Sequence, residues 1–381
     1  MLHIRWWILW IGMLAQQLSP AQQKSYIDSL NSVVRNASHD STRVKALHKL
    51  FLEYEYTDSI RAIKSLEQAL ILASKINYKS GLVRILTCYG YFAEDYENYS
   101  LAVHYHKQAL EITKNNIYEV NSTHPYENLG LNYEQMGNYA EALKYYFRAL
   151  RLRERLQDMR GIAEGHDNIG TIYSDLGKFE LSLKHYNLSL EYHKKINYTK
   201  GVALAYNNIG ILYKRMGQLD KALECQLKGL EMKKAIQDES GISLSYTNLG
   251  NIYIQQGKCK KALEMHLASL EIRLRKKDLL GIAGCYCNLG TTYTCLRNYK
   301  QARNNLAEAK NMGLQMRHKE LLHETYLSLS RLDSLTGNYK DSYQNYLTGI
   351  AYGDSLSNEV ILKKSTESQL SYEYEKKEAV A

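Results

Sequence analysis

Hydrophobic and polar positions repeat along the chain with a period of forty residues. Counted from residue 41, eight copies run without insertion to residue 360, and we number the places in each copy 1 to 40. Place 6 is mostly aromatic, place 9 is leucine or isoleucine, place 10 is glycine and place 13 is tyrosine, as in Tyr206, Ile209, Gly210 and Tyr213. At 100° per residue these places fall within one arc of about 100°, which predicts an amphipathic helix.

The glycine at place 10 lies inside this first helix and needs a reason, because glycine costs about 1 kcal/mol of helix stability relative to alanine. We predict that a neighbouring helix crosses there too closely for a β-carbon. After a glycine at place 17, a second apolar pattern follows, with alanine at place 22, leucine at place 23, a small residue at place 29 and leucine at place 30. This spacing predicts a second helix. Each copy is therefore expected to form an αα-hairpin that buries its core by stacking on its neighbours.

The third copy carries a known series of residues in order. They are Tyr126, Leu129, Gly130, Tyr133, Ala142, Tyr146 and Ala149. The series resembles the tetratricopeptide repeat, although Glu154 stands where that family usually has proline and the period is 40 rather than 34. The resemblance covers residues 41–360 and implies an all-α, right-handed solenoid of about eight hairpins. It also implies a protein- or peptide-binding scaffold whose first helices line a concave wall.

Places 4, 8, 11 and 15 lie opposite the core stripe of the first helix, and we call them the first-helix face. Place 8 is asparagine in five successive copies: Asn128, Asn168, Asn208, Asn248 and Asn288. Asparagine is a poor residue for a helix interior. One interpretation is that each amide bonds a neighbouring helix and fixes the stacking angle.

The other interpretation, which we favour, is a ladder of amides for a ligand. An amide can pair with both the C=O and the N–H of an extended chain. Helices pack roughly 8–10 Å apart and a strand rises about 3.3 Å per residue, so one asparagine per copy could meet about every third ligand residue. Kinesin light chains and bacterial peptide sensors of the resembled family are similar, holding peptide backbones through asparagines.

Neighbouring side chains are predicted to set the specificity of this face. Acidic residues cluster in the third and fourth copies, at Glu127, Glu164, Asp167 and Asp175. Apolar residues follow at Leu204, Ile211 and Leu244, with Arg215 and Asn251 beside them. A ligand with a basic segment followed by apolar side chains matches this order, whereas an ordinary solvated face is the alternative.

The two ends of the chain lack the repeat. Residues 1–21 combine Arg5, an apolar run and small residues, which predicts a cleavable signal peptide and export, to the periplasm in a bacterium. The chain would be cytoplasmic if that run were not a signal. Residues 22–40 are predicted to be a helical lead-in, and residues 361–381 a helical tail.

Candidate chemistry is sparse. We find no glycine-rich phosphate loop, no metal-binding His-x-x-x-His pair and no Ser/His/Asp set in sequence context, so we expect neither an enzyme nor a cofactor. The net charge is +9, but the basic and acidic residues are interleaved, which does not favour nucleic acid. Cys259 is expected to pack in the core, although a Cys259–Cys295 bridge between neighbouring copies is conceivable.

Two classes of function remain open from the sequence. The first is an exported scaffold that binds a protein or peptide in its groove. The alternative is the input region of a truncated or split bacterial receptor, such as a histidine kinase or a transcriptional regulator, with a membrane-associated signalling partner. Both follow from the resemblance, since exported bacterial proteins and receptor sensor regions share this repeat.

Overall fold

A computed structural model describes residues 20–55, 57–113 and 123–355. These residues form seventeen helices and no strand. The helices are α1 Pro20–Asn36, α2 Asp40–Tyr54, α3 Ser59–Lys75, α4 Lys79–Asp95, α5 Tyr99–Thr113, α6 Thr123–Gln135, α7 Tyr139–Arg155, α8 Met159–Asp175, α9 Phe179–Lys195, α10 Thr199–Arg215, α11 Leu219–Ala235, α12 Glu239–Gln255, α13 Cys259–Lys276, α14 Leu279–Cys295, α15 Tyr299–Met316, α16 Lys319–Leu335 and α17, residues 339–355.

The helices follow the period predicted from the sequence. After α1, the described residues form eight consecutive hairpins, from α2 with α3 to α16 with α17. In the central copies the first helix begins two residues before the copy boundary and ends at place 15, and the second begins at place 19. The predicted class, an all-α repeat of helical hairpins, is confirmed.

The chain divides into two compact units, residues 1–152 and residues 153–381. In the first unit, a core forms around Leu47, Phe51 and Leu66. In the second, Ile209 and Leu212 of α10 pack with Tyr186 of α9. Each unit therefore has its own buried core, made by packing between the two helices of a hairpin and between neighbouring hairpins.

The turns are short because their residues accept left-handed backbone. Gly177, Gly217 and Gly257 at place 17 have φ of 70°, 74° and 71°, a conformation that costs glycine little. Several first helices then begin with an aspartate cap: Asp158 and Asp278 each accept a hydrogen bond from the backbone N–H three residues later, at 3.0 Å.

The glycine at place 10 is required by close packing, as predicted. In the six copies that carry this glycine, the contact comes from the side chain at place 26, on the second helix of the same hairpin. A β-carbon on Gly170 would lie 2.7 Å from the Tyr186 ring, and one on Gly210 would lie 2.7 Å from Gln226 Nε2. Both side chains are buried. The two helices of a hairpin therefore interlock at this point.

Several predictions on the termini are not tested. The signal peptide, residues 1–21, lies almost wholly outside the described residues, and the tail, residues 361–381, lies entirely outside them. The lead-in is helical from Pro20 to Asn36. Among the helices described, none has the length and apolar character needed to cross a bilayer.

Candidate functional site

The first-helix face of the second unit is solvent-accessible. Glu164, Asp175 and Arg215 are exposed, and the asparagines at place 8 are half-buried. The side chains at places 4, 8, 11 and 15 of this unit are exposed or half-buried, so a ligand can reach them. We therefore describe the predicted binding residues on this unit first.

The four asparagines of the second unit differ in what they bond. Within the described residues, the side-chain amides of Asn168 and Asn288 make no hydrogen bond, and the only side-chain hydrogen bond of Asn208 is a long one, from Asn207 Nδ2 to its Oδ1 at 3.5 Å. Asn248 is different, because its Nδ2 donates to Asn207 Oδ1 at 3.1 Å. Asn248 therefore links two consecutive copies, as the stacking interpretation predicts, whereas the other three keep free hydrogen-bonding groups.

Asn128 in the first unit requires a correction. Its side chain is only 2% exposed, and its amide nitrogen has no acceptor within hydrogen-bonding distance. It interacts with Tyr91 on the preceding first helix, α4. The enclosed position keeps it from any ligand on an open surface, so Asn128 does not belong with the exposed asparagines of the second unit.

The acidic residues of the predicted site have partners within the protein. Glu164 Oε1 accepts from Arg160 Nε at 2.9 Å, and Asp175 Oδ1 accepts from Arg215 Nη1 at 3.1 Å. Asp167 makes a different contact and does not lie on the first-helix face.

Asp167 is 6% exposed and faces His193, with 3.5 Å between Oδ2 and Nε2. Its position at place 7 turns it toward the second helix of its own hairpin. Asp167 is thus enclosed within its own hairpin and is not presented on the first-helix face, and its contact with a ligand stays a prediction. Of the acidic residues in the fourth copy, Glu164 and Asp175 are each paired with an arginine.

The apolar part of the predicted site is open. Ile211 is 40% exposed and Leu244 is 42% exposed, while Leu204 is half-buried. Asn251, one turn after Asn248, is half-buried and its amide has no hydrogen bond among the described residues. The fifth and sixth copies thus present apolar side chains next to unpaired amides.

Sequence comparison identifies the repeat. Residues 161–235 and 241–314 match one profile described as a tetratricopeptide repeat, and residues 126–160 match a second with the same description. The matched segments coincide with the hairpins that carry the asparagines. The chain is a tetratricopeptide-repeat protein. No curated protein sequence is significantly similar to it.

Solved structures share the tetratricopeptide-repeat fold at low identity. Aspartyl phosphate phosphatase F from Bacillus subtilis superposes with a TM-score of 0.64 at 12% identity, covering 88% of this chain and 94% of that one. A signal transduction ATPase with a tetratricopeptide repeat sensor, from Pyrococcus horikoshii, gives 0.63 at 16%, covering 94% of this chain and 54% of that one. A Rap protein complexed with competence and sporulation factor gives 0.56 at 14%, covering 89% and 99%. These similarities establish the fold alone.

One residue that holds the face together was not singled out from the sequence. Asn207, at place 7 of the fifth copy, is 6% exposed; it accepts from Asn248 through its side chain and from Gln226 Nε2 through its carbonyl oxygen at 3.0 Å. The adjacent pair Asn207–Asn208 was visible in the sequence, but not which of the two points inward.

A second overlooked feature connects successive tetratricopeptide repeats. The basic residue at place 33 bonds the aspartate at place 38, as in Arg153–Asp158 at 2.5 Å and Arg273–Asp278 at 2.9 Å. The signal in the sequence is a basic residue, four others, aspartate, two others and the opening glycine. These pairs fix the turn between repeats rather than contact a ligand.

The cysteines also depart from expectation. Cys259 is half-exposed instead of packed in the core, and it forms a disulfide with Cys295 of the next repeat, with Cα atoms 5.9 Å apart. The four unpaired cysteines that the structure describes are Cys88, Cys225, Cys285 and Cys287.

Three buried or half-buried histidines bond within the protein. His106 is fully buried and bonds Glu94 at 3.1 Å, and His166 and His185 contact each other with 3.1 Å between their Nδ1 atoms. Burial lowers the pKa of His166 to about 4. Over the described part of the chain, no three His, Cys, Asp or Glu side chains are grouped to hold a metal ion.

Proposed function

We propose that this tetratricopeptide-repeat protein is a non-enzymatic scaffold that holds an extended peptide, or an extended segment of a partner protein, on the first-helix face of its second unit. The observation that carries the proposal is the row of half-buried amides at place 8. Among the described residues, the side chains of Asn168 and Asn288 make no hydrogen bond, and the Asn208 Nδ2 donor has no acceptor. Peptide main chain offers both groups that an amide needs.

The apolar side chains suit the same class of ligand. Ile211 and Leu244 are exposed on the repeats that lie between Asn168 and Asn288. A peptide whose backbone pairs with the amides would place some of its side chains against them, and burying that apolar surface contributes roughly 25 cal/mol per Å². We therefore infer an apolar central segment in the ligand. The basic segment inferred from the sequence is less favoured, because Glu164 and Asp175 already pair with arginines.

Two structural neighbours support a peptide ligand by analogy. A Rap protein was solved with competence and sporulation factor, and the Rap conjugation gene regulator of plasmid pLS20 with the Phr* peptide. The role of a receptor input region remains a second candidate, because the Pyrococcus horikoshii neighbour contains a tetratricopeptide repeat sensor. Both candidate functions need the same binding face. Export to the periplasm is a separate proposal.

The test starts from peptides selected on the full-length protein from a displayed library of random dodecamers. The selected peptide is titrated calorimetrically into wild type and into Asn168→Ala and Asn288→Ala. Each variant removes about 1 kcal/mol of hydrogen bonding, which is roughly a fivefold loss of affinity, and leaves the melting temperature unchanged. Asn187→Ala is the matched control, because Asn187 is exposed on the second helix α9.

Asn248→Ala separates the two roles of the asparagines. Since Asn248 bonds Asn207, its loss should lower stability by about 1 kcal/mol. The proposal fails if no peptide is enriched, or if the peptide binds Asn168→Ala and Asn288→Ala as tightly as wild type.

A further inference from the structure

A disulfide fastens two consecutive repeats of the second unit. Cys259 is the first residue of α13 and Cys295 is the last residue of α14. The two helices pack together and are joined at their other ends by the short turn at Lys277 and Asp278. The disulfide therefore closes the helix pair into a covalent ring, at the ends where the helices would otherwise separate.

The equivalent joint two repeats earlier is held without a covalent bond. Phe179 begins α9 and Arg215 ends α10, the same two places in the repeat as the cysteines. The Arg215 guanidinium lies over the Phe179 ring at 5.6 Å and donates to Ser174 Oγ at 2.6 Å. The same two places of the repeat are thus in contact at both joints. At Phe179 and Arg215 the contact is a cation–π interaction, whereas at Cys259 and Cys295 it is a covalent bond that a reductant can break.

The bond is open to a reductant, whereas most other thiols are not. Cys295 is exposed and Cys259 is half-exposed, while Cys285 and Cys287 are buried. Burial raises the pKa of the Cys287 thiol to about 11, which keeps it protonated near neutral pH. Because thiolate is the species that attacks a disulfide, internal exchange with Cys287 is suppressed and an external thiol determines the state of the bond.

We propose that the Cys259–Cys295 disulfide is a redox-controlled clamp between the repeat that carries Asn248 and the repeat that carries Asn288. The reductant is a dithiol. One of its thiolates attacks one cysteine sulfur and releases the other as a thiolate that takes up a proton; the second thiol then displaces the first cysteine from the mixed disulfide. Two cysteine thiols and one oxidised dithiol result, so the two electrons balance.

Opening the clamp acts on the first-helix face, and this part of the inference rests on the proposed function. Asn251 lies on α12, which forms one hairpin with α13, and Asn288 lies on α14. The covalent ring fixes the spacing between these two first helices. Once the ends of α13 and α14 separate, a peptide that spans Asn251 and Asn288 can no longer pair with both in one register, so its affinity falls.

Hydrogen exchange of the full-length protein tests the clamp without a ligand. After reduction with dithiothreitol, backbone amides at the start of α13 and the end of α14 should exchange several-fold faster, and those at the α9–α10 joint should not change. The variant Cys259→Ser/Cys295→Ser should show the fast exchange in both redox states. Cys225→Ser is the matched control, because it removes a half-exposed cysteine that forms no disulfide and should keep the wild-type response.

The clamp is overturned if peptide mapping of air-oxidised protein finds Cys259 and Cys295 unlinked, or if reduction leaves exchange at α13 and α14 unchanged. Affinity for the selected dodecamer should drop on reduction in wild type and in Cys225→Ser but not in the double variant. Faster exchange with unaltered affinity would overturn control of binding. If no dodecamer is selected at all, the proposed function fails, and the exchange result still decides the clamp.

Discussion

Two glycines of α14 offer a matched test of how the hairpins interlock. Gly284, at place 4, has no atom within 4 Å of the position of an added β-carbon. Gly290, at place 10, would put that carbon 2.6 Å from Leu306 Cδ2 and 3.3 Å from the carbonyl oxygen of Ala302. Leu306 is fully buried and Ala302 contributes backbone, so neither can move aside cheaply.

Both substitutions gain helix propensity, but only Gly290→Ala also has a packing cost. Alanine stabilises a helix interior by about 1 kcal/mol relative to glycine, and this gain applies to both Gly284→Ala and Gly290→Ala. At Gly290 the added methyl group overpacks the core at a cost of about 1–3 kcal/mol. We expect Gly284→Ala to be about 1 kcal/mol more stable than wild type, and Gly290→Ala to be between neutral and about 2 kcal/mol less stable.

Urea unfolding of the full-length variants, followed by circular dichroism, measures the difference. Because repeat proteins can depart from two-state unfolding, hydrogen exchange of the α14 amides serves as a local second measurement. Gly284→Ala should slow that exchange and Gly290→Ala should accelerate it. If both variants gain the same stability, the glycine at place 10 is not required by packing, and our account of the hairpin contact is refuted.

Three further predictions concern charged and titratable side chains. Arg303→Met removes the ion-pair partner of the fully buried Asp333, to which Asn345 Nδ2 still donates, and should cost about 2–3 kcal/mol in urea unfolding; a neutral result would mean that Asp333 needs no cation. Burial raises the pKa of Glu55 to about 7 from 4.5, so the folded state holds its proton longer and stability falls as pH rises between those values. Glu55→Gln should therefore exceed wild type in melting temperature at pH 8 but hardly at pH 5, and an equal gain at both pH values would contradict this. Burial lowers the pKa of His266 to about 4 from 6.5, so stability falls as pH drops through that window. His266→Gln, which copies Gln226 of the previous repeat, should lessen the fall, and an unchanged acid profile would exclude His266 as its source.

The periodic pattern of the sequence determined most of the fold. Place 10 glycine, the apolar stripe and the turn glycines each depend on contacts within one hairpin or between neighbours. Such contacts recur in every copy, so the repeated residues report them directly. The sequence could not say that Tyr186 and Gln226 are the side chains against Gly170 and Gly210, because these differ between copies.

The hydrogen bonding of the proposed binding face was only partly predictable, because its contacts differ from copy to copy. Five asparagines at one place in the repeat are equivalent by sequence, yet Asn128 is buried and Asn248 bonds Asn207, whereas Asn168 and Asn288 make no side-chain hydrogen bond to any residue that the structure describes. What distinguishes them lies in another copy, about forty residues away.

Stacked helical hairpins with a polar face could be predicted from the amino-acid sequence, because the periodicity is present in each copy. The free amides, the enclosure of Asp167 with His193 and the approach of Cys259 to Cys295 became visible only in the folded chain. Burial, hydrogen bonding and cross-linking depend on distances between helices. One residue's identity and place in the repeat do not specify those distances.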